Sequence, residues 1–245
     1  MADDARHQAA YEPRTPWAAG WAVLATLLIY GAGVLALSGA LSLDNVLRGV
    51  GRAQGLWRQD MSTLLTIGVW QLVTIALTFA AAGLFGGKVR EVLSLQAPTG
   101  GTRTYVIAAA LTVFLQTAVW LLALWLAREG PSNQPPSTRL FGEQWWLALL
   151  VIGIGAPFAE ELLFRGFLQS ALSATRLGFW GAAIITGTWW TVLHAGTSLA
   201  AFLSVFAMGL LYAWQLRWSG SLRVPIFCHA LYNIAIILVF GQLKV

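Results

Sequence analysis

The sequence predicts an all-α fold, a polytopic transmembrane helix bundle of about seven spans. Three observations carry that reading. Only 10% of the 245 residues are charged while 58% are hydrophobic; soluble domains carry about 25% charge, so this composition cannot build a water-facing surface. Five stretches without formal charge reach the roughly 20 apolar residues that a membrane helix needs. The thirteen tryptophans fit the headgroup layer that indole rings favour, and Trp17, Trp21, Trp57, Trp145, Trp146, Trp180 and Trp218 fall near the expected helix ends.

Taken in order, residues 1–16 form a polar segment with both signs of charge. The first apolar stretch, Trp17 to Leu43, is too long for the 7–15-residue core of a cleavable signal peptide and reads as an uncleaved span. Met61 to Gly87 and Thr104 to Ala127 follow as the second and third spans. Breaks are expected at Asp44 to Asp60, Lys88 to Arg103 and Arg128 to Glu143, the last two marked by Pro98-Thr-Gly-Gly and by Pro131, Pro135 and Pro136, since such clusters punctuate helices. The last four spans are Gln144 to Thr175, Leu177 to His194, Ala195 to Leu216 and Val224 to Leu243. The chain thus divides into the N-terminal segment, three apolar spans over 17–143 and a more polar region over 144–245.

The net charge of +5 lacks a basic run interleaved with aromatics, so it reads as loop positives and no nucleic-acid partner is expected. With the N terminus and even-numbered loops on one side, nine lysines and arginines gather there against six opposite, which favours a cytoplasmic N terminus. A single cysteine, Cys228, excludes an intrachain disulfide.

The polar residues at expected membrane depth all lie in the second half. Glu160, Glu161 and Arg165 share the run Ala156-Pro-Phe-Ala-Glu-Glu-Leu-Leu-Phe-Arg165, and ionisable groups within a span usually serve a function. Glu161 and Arg165, at i and i+4, share a helix face and can pair. Glu160 is turned by about 100° from its neighbour, free to meet something else. Alternatively, the span stops near Ala159 and the glutamates mark the water interface; the apolar run from Leu162 to Ala174 argues against this. His194 and His229 lie in apolar segments, and Asn233 follows His229 at i+4 on the same face. Each alone is compatible with a hydrogen-bonded packing residue or interhelical glue.

Spacing links them. Glu160 and His194 are symmetric about position 177, where Thr175-Arg-Leu-Gly178 reads as a helical hairpin turn. His229 lies about 14 Å past the turn at Ser219-Gly-Ser221, whereas Glu160 and His194 lie about 25 Å from theirs. Equal depth requires the 165–176 hairpin to project by about 10 Å, and its polar residues (Arg165, Gln169, Ser170, Ser173, Thr175, Arg176) lead us to expect that.

These residues resemble the CPBP family of intramembrane proteases, which includes the CAAX prenyl endopeptidases and the bacteriocin-processing or Abi proteins. Its three-part pattern is matched by Glu160-Glu161-Leu-Leu-Phe-Arg165, Trp190-Thr-Val-Leu-His194 and His229-Ala-Leu-Tyr-Asn233, and the run from Gly209 to Leu222 looks like the family's approach to its third motif. The resemblance covers about residues 145–240 and makes 144–245 the CPBP-like catalytic core. Trp190 stands where the family more often has phenylalanine, which preserves an aromatic wall.

The resemblance implies an intramembrane endopeptidase acting through water. Glu160 would be the general base, oriented with His194. Glu161 and Arg165 would form a structural pair, and His229 and Asn233 would stabilise the oxyanion, as preorganised donors do. A catalytic zinc held by Glu160, His194 and His229 is the alternative, since such zinc takes three protein ligands; without an HExxH helix the metal-free mechanism is preferred. The implied partners are membrane lipid and a peptide or membrane-anchored protein tail, and the setting a bacterial inner membrane. Two other classes compete: a non-catalytic immunity or scaffold protein, and a small proton-linked transporter. The intact motif set weighs against the first, and the lack of discontinuous, repeated helices against the second.

Overall fold

The computed structural model describes residues 11–47, 61–126, 144–194 and 199–241. Among these residues there are eight helices and no strand. They are α1 (Ala19–Leu47), α2 (Met61–Gly83), the short α3 (Val89–Val92), α4 (Thr102–Leu126), α5 (Trp145–Ser173), α6 (Gly178–His194), α7 (Leu199–Ser219) and α8 (Arg223–Gly241). Every stretch expected to span is helical over all but a few terminal residues of its described part. Most of the expected first loop with Trp57, the loop before Gln144 and residues 1–10 lie outside the described residues.

Among the described residues four helical stretches are long and apolar enough to cross a membrane: Ala19–Leu43, Met61–Gly86, Thr102–Val119 and Trp145–Ser173; Arg223–Val239 is a shorter apolar helix. The apolar windows of the first three are 22%, 33% and 17% buried, against 61% for α5, so α5 is the central helix. Leu35, Leu72 and Phe114 face outward, as side chains meeting lipid must.

α5 is not a regular α-helix. Leu149–Gly155 and Glu161–Gln169 are wound as π-helix around one α-helical stretch, Ala156–Glu160, and such widened turns occur often at functional sites. The first is held from two sides. The Ala156 N–H bonds back to the Val151 carbonyl, and the next residue, Pro157, has no N–H to give. The Ile152 carbonyl is thereby left to accept from Asn233 Nδ2 of α8 at 2.9 Å. From α2, Gln71 Nε2 donates to the Val151 carbonyl at 3.0 Å.

The segment between α2 and α4 folds back into the bundle, burying Val92 and Leu93. It is stitched to the α7–α8 turn: Leu222 N–H donates to the Ser94 carbonyl (2.8 Å), Thr99 N–H to the Ser219 carbonyl (3.0 Å), and Gln96 Nε2 to the Gly220 carbonyl (2.5 Å). Gly220 has φ 65°, a left-handed conformation that glycine adopts without steric cost.

The α5–α6 hairpin differs in one respect from the sequence reading. Arg165, Gln169 and Ser170 are buried within the bundle, and only residues 174–177 at the turn are exposed. Their polarity therefore reflects internal packing under Trp17, whose ring lies 5.2 Å from Phe167, and Tyr11, 5.3 Å from Phe179.

Candidate active site

Glu160 and Glu161 do not mark a helix end. The helix runs on to Ser173, and the two residues are 6% and 0% exposed. A buried carboxylate persists as a charge only where partners replace its water, and these two take different partners.

Glu160 meets α6. Its Oε2 accepts from the Trp190 indole N–H at 2.8 Å, and its Oε1 faces His194 Nε2 at 3.4 Å. His194 Nδ1 lies 2.8 Å from the Trp190 carbonyl. A carbonyl only accepts, so Nδ1 carries the hydrogen. Nε2 and Oε1 then attract each other where a proton lies between them. Trp190 and His194 are one helical turn apart, which gives them a common face toward Glu160. His194 is the most open member, with its side chain 37% exposed.

Glu161 is sealed. Its Oε1 lies 3.1 Å from Arg165 Nη1 and 3.1 Å from His229 Nδ1. The Arg165 guanidinium sits 4.5 Å from the Trp190 ring and 5.9 Å from the Tyr212 ring. Its two terminal nitrogens make no hydrogen bond of good geometry, so charge and aromatic faces hold it. Gly209 makes room for this, because a Cβ there would stand 3.2 Å from Arg165 Nη2. Tyr212 stacks on His229 with centroids 4.9 Å apart and planes 21° from parallel, and the Trp190 ring meets His229 edge-on at 5.6 Å.

The structure thus brings Glu160, Trp190 and His194 into one contact set, and Glu161, Arg165 and His229 into another joined to it through Trp190. Asn233 reaches α5 about two helical turns before Glu160, at Ile152. Among the described residues no three His, Cys, Asp or Glu side chains are grouped to hold a metal ion. His229 turns its Nδ1 to Glu161 while Glu160 faces His194.

The pattern in the sequence missed several contributors. A cavity of 180 Å³ opens beside Glu160 and His194, and it is walled by Tyr30 of α1 and by Ile67, Trp70 and Gln71 of α2. Gln71 was the only available sign, as an amide within an uncharged span. Tyr212 was visible only inside the run leading to the third motif.

A family model matches residues 142–235: the Rce1-like family, described as type II CAAX prenyl endopeptidase Rce1-like. Over this segment the chain is similar to the type II CAAX prenyl endopeptidases. No curated protein and no solved structure matches it. The match supports a CAAX-type intramembrane endopeptidase at the level of the family, and the four long apolar helices agree with an integral membrane protein. The matched segment contains all three motifs and the helices from α5 nearly to the end of α8, and it leaves α1 to α4 outside.

Proposed function

We propose that this Rce1-like protein hydrolyses a peptide bond in a membrane-associated peptide or protein tail, with Glu160 as the base that activates a water. The observation that carries the proposal is the two-sided hold on the Glu160 carboxylate, Trp190 at Oε2 and His194 at Oε1, at the wall of an open cavity.

In this reading a water at the Oε1–Nε2 edge loses its proton to the Glu160–His194 pair as its oxygen bonds to the scissile carbonyl carbon. The tetrahedral intermediate collapses by breaking the C–N bond. The pair returns the proton to the departing nitrogen, leaving a carboxylic acid and an amine. Positioned acid–base groups of this kind contribute about 10²–10⁴-fold. His229 offers Nε2, the ring nitrogen not engaged by Glu161, and Asn233 offers its second amide hydrogen; both polarise the carbonyl and receive the oxyanion. Glu161 and Arg165 hold the helices in register. Residues 144–245 form the catalytic core, with the spans of 17–143 around it and residues 1–16 ahead of it.

Prenylated C-terminal tails are the first substrates to test, because the matched family is named for them. The surrounding partner is membrane lipid. The excess of loop positives on the N-terminal side supports a cytoplasmic N terminus in a bacterial inner membrane.

The test is cleavage of a peptide panel, including prenylated CAAX-type tails, by purified wild type and Glu160→Gln, with and without a chelator. We expect turnover that survives chelation and is lost in the variant. Equal cleavage by both proteins removes Glu160 from the role, and loss in chelator alone replaces the metal-free scheme.

A further inference from the structure

The cavity beside Glu160 and His194 is built by two parts of the chain with different standing. Its catalytic edge belongs to the segment that matches the family, whereas Tyr30, Ile67 and Trp70 come from α1 and α2, outside that match. Its volume is 180 Å³. Sites for drug-sized ligands occupy about 300–1,000 Å³, whereas an apolar cavity of about 150 Å³ holds one benzene. The space therefore suits a single side chain and not a length of peptide.

The wall has a fixed shape. A Cβ at Gly33 would collide with the Trp70 indole, so the absence of one on α1 lets that ring seat against the helix. The Tyr30 ring meets Trp70 edge-on, with centroids 6.2 Å apart and planes at 84°. Gln71, the polar group of the α2 wall, has its amide nitrogen committed to the Val151 carbonyl, leaving the α2 lining mainly apolar.

We propose that this cavity is a subsite for one apolar substrate side chain of branched-aliphatic or single-ring size, and that Trp70, backed by Tyr30 and Ile67, sets the largest side chain accepted. The proposal rests on the proteolytic reading above. It gives α1 and α2 a selective role next to the chemistry, so that specificity lies outside the segment that carries the motifs.

The experiment uses the purified full chain and one prenylated CAAX-type peptide scaffold carrying Ala, Leu, Phe or Trp in turn at each position flanking the cleaved bond. Wild type is compared with Trp70→Leu and with the milder Ile67→Ala, so that poor folding of one variant does not decide the result. Side-chain discrimination by one apolar pocket is about 10–200-fold. We expect wild type to favour Leu or Phe at one position, and both variants to move the preference there toward Phe or Trp by about tenfold or more. In parallel, scaffolds with photo-leucine at each position are crosslinked to Glu160→Gln, which reads the cavity without turnover.

Crosslinks at Ile67 or Trp70 from a single substrate position support the subsite, even if no peptide is cleaved; that combination counts against proteolysis alone. Cleavage with the same side-chain ranking in all three proteins, or crosslinks from every position falling elsewhere, overturns the subsite and leaves proteolysis standing. Neither cleavage nor a cavity crosslink overturns both.

Discussion

Glu160 and Glu161 are adjacent in sequence and live in different surroundings. Glu161 is enclosed by Arg165, His229, Trp190 and Tyr212, with no exposed surface of its own. Glu160 is held by Trp190 and by a partly exposed His194, and it borders a cavity. The difference comes from one residue of helical rotation, about 100°, applied where α5 passes from α-helical to π-helical winding. A charge locked among fixed partners organises structure; a charge beside an open edge can exchange a proton. Sequence adjacency therefore conceals a difference of surroundings that the third dimension makes plain.

The sharpest way to break the contrast is to unseal Glu161. Arg165→Ala leaves a buried carboxylate without its cation, and removing one partner of a buried ion pair costs about 3–5 kcal/mol. Thermal unfolding in detergent should fall steeply, with activity lost in proportion to folded protein. A normal melting curve would contradict the sealed assignment.

A smaller effect is expected on the Glu160 side. Trp190→Phe restores the residue more frequent in the family and removes only the indole N–H from Oε2. A hydrogen bond to a charged group is worth about 1.5–3 kcal/mol of stability, so the melting temperature should fall by less than in Arg165→Ala, while kcat per folded molecule falls with KM nearly unchanged. An equal fall in melting temperature would assign Trp190 to packing alone.

The smallest change concerns the support from α2. Gln71→Leu removes one donor from the Val151 carbonyl, which keeps the N–H of Ala156. The loss should be about 0.5–1.5 kcal/mol, typical of a single neutral hydrogen bond, measured by the melting temperature. A loss several times larger would mean that Gln71 holds the π-helical winding open.

Much of this arrangement was legible beforehand. The apolar runs located the helices because transfer of polar backbone into hydrocarbon demands helical hydrogen bonding. The three motifs picked out side chains that the structure brings together, and they stand out because ionisable groups at that depth are rare. Hydropathy does not distinguish a side chain facing lipid from one facing another helix, so α1 and α2 read only as apolar spans although Tyr30 and Trp70 wall the cavity. The same blindness made Arg165, Gln169 and Ser170 look like residues of a projecting hairpin when they are buried. The π-helical winding had one local sign, Pro157 after a glycine-containing run. Its second cause, the reach of Asn233 to Ile152 from 81 residues away, is a tertiary fact that no window could contain.

The most direct test of the divided roles compares Glu160→Gln with Glu161→Gln for turnover of one prenylated CAAX-type peptide, normalised to the folded fraction measured by thermal unfolding. Glu160→Gln should fold like wild type and cleave at least about 10²-fold more slowly. Glu161→Gln should unfold more readily, yet retain turnover per folded molecule within a few-fold of wild type. Folded, inactive Glu161→Gln alongside active Glu160→Gln would contradict the account and exchange the two residues' roles.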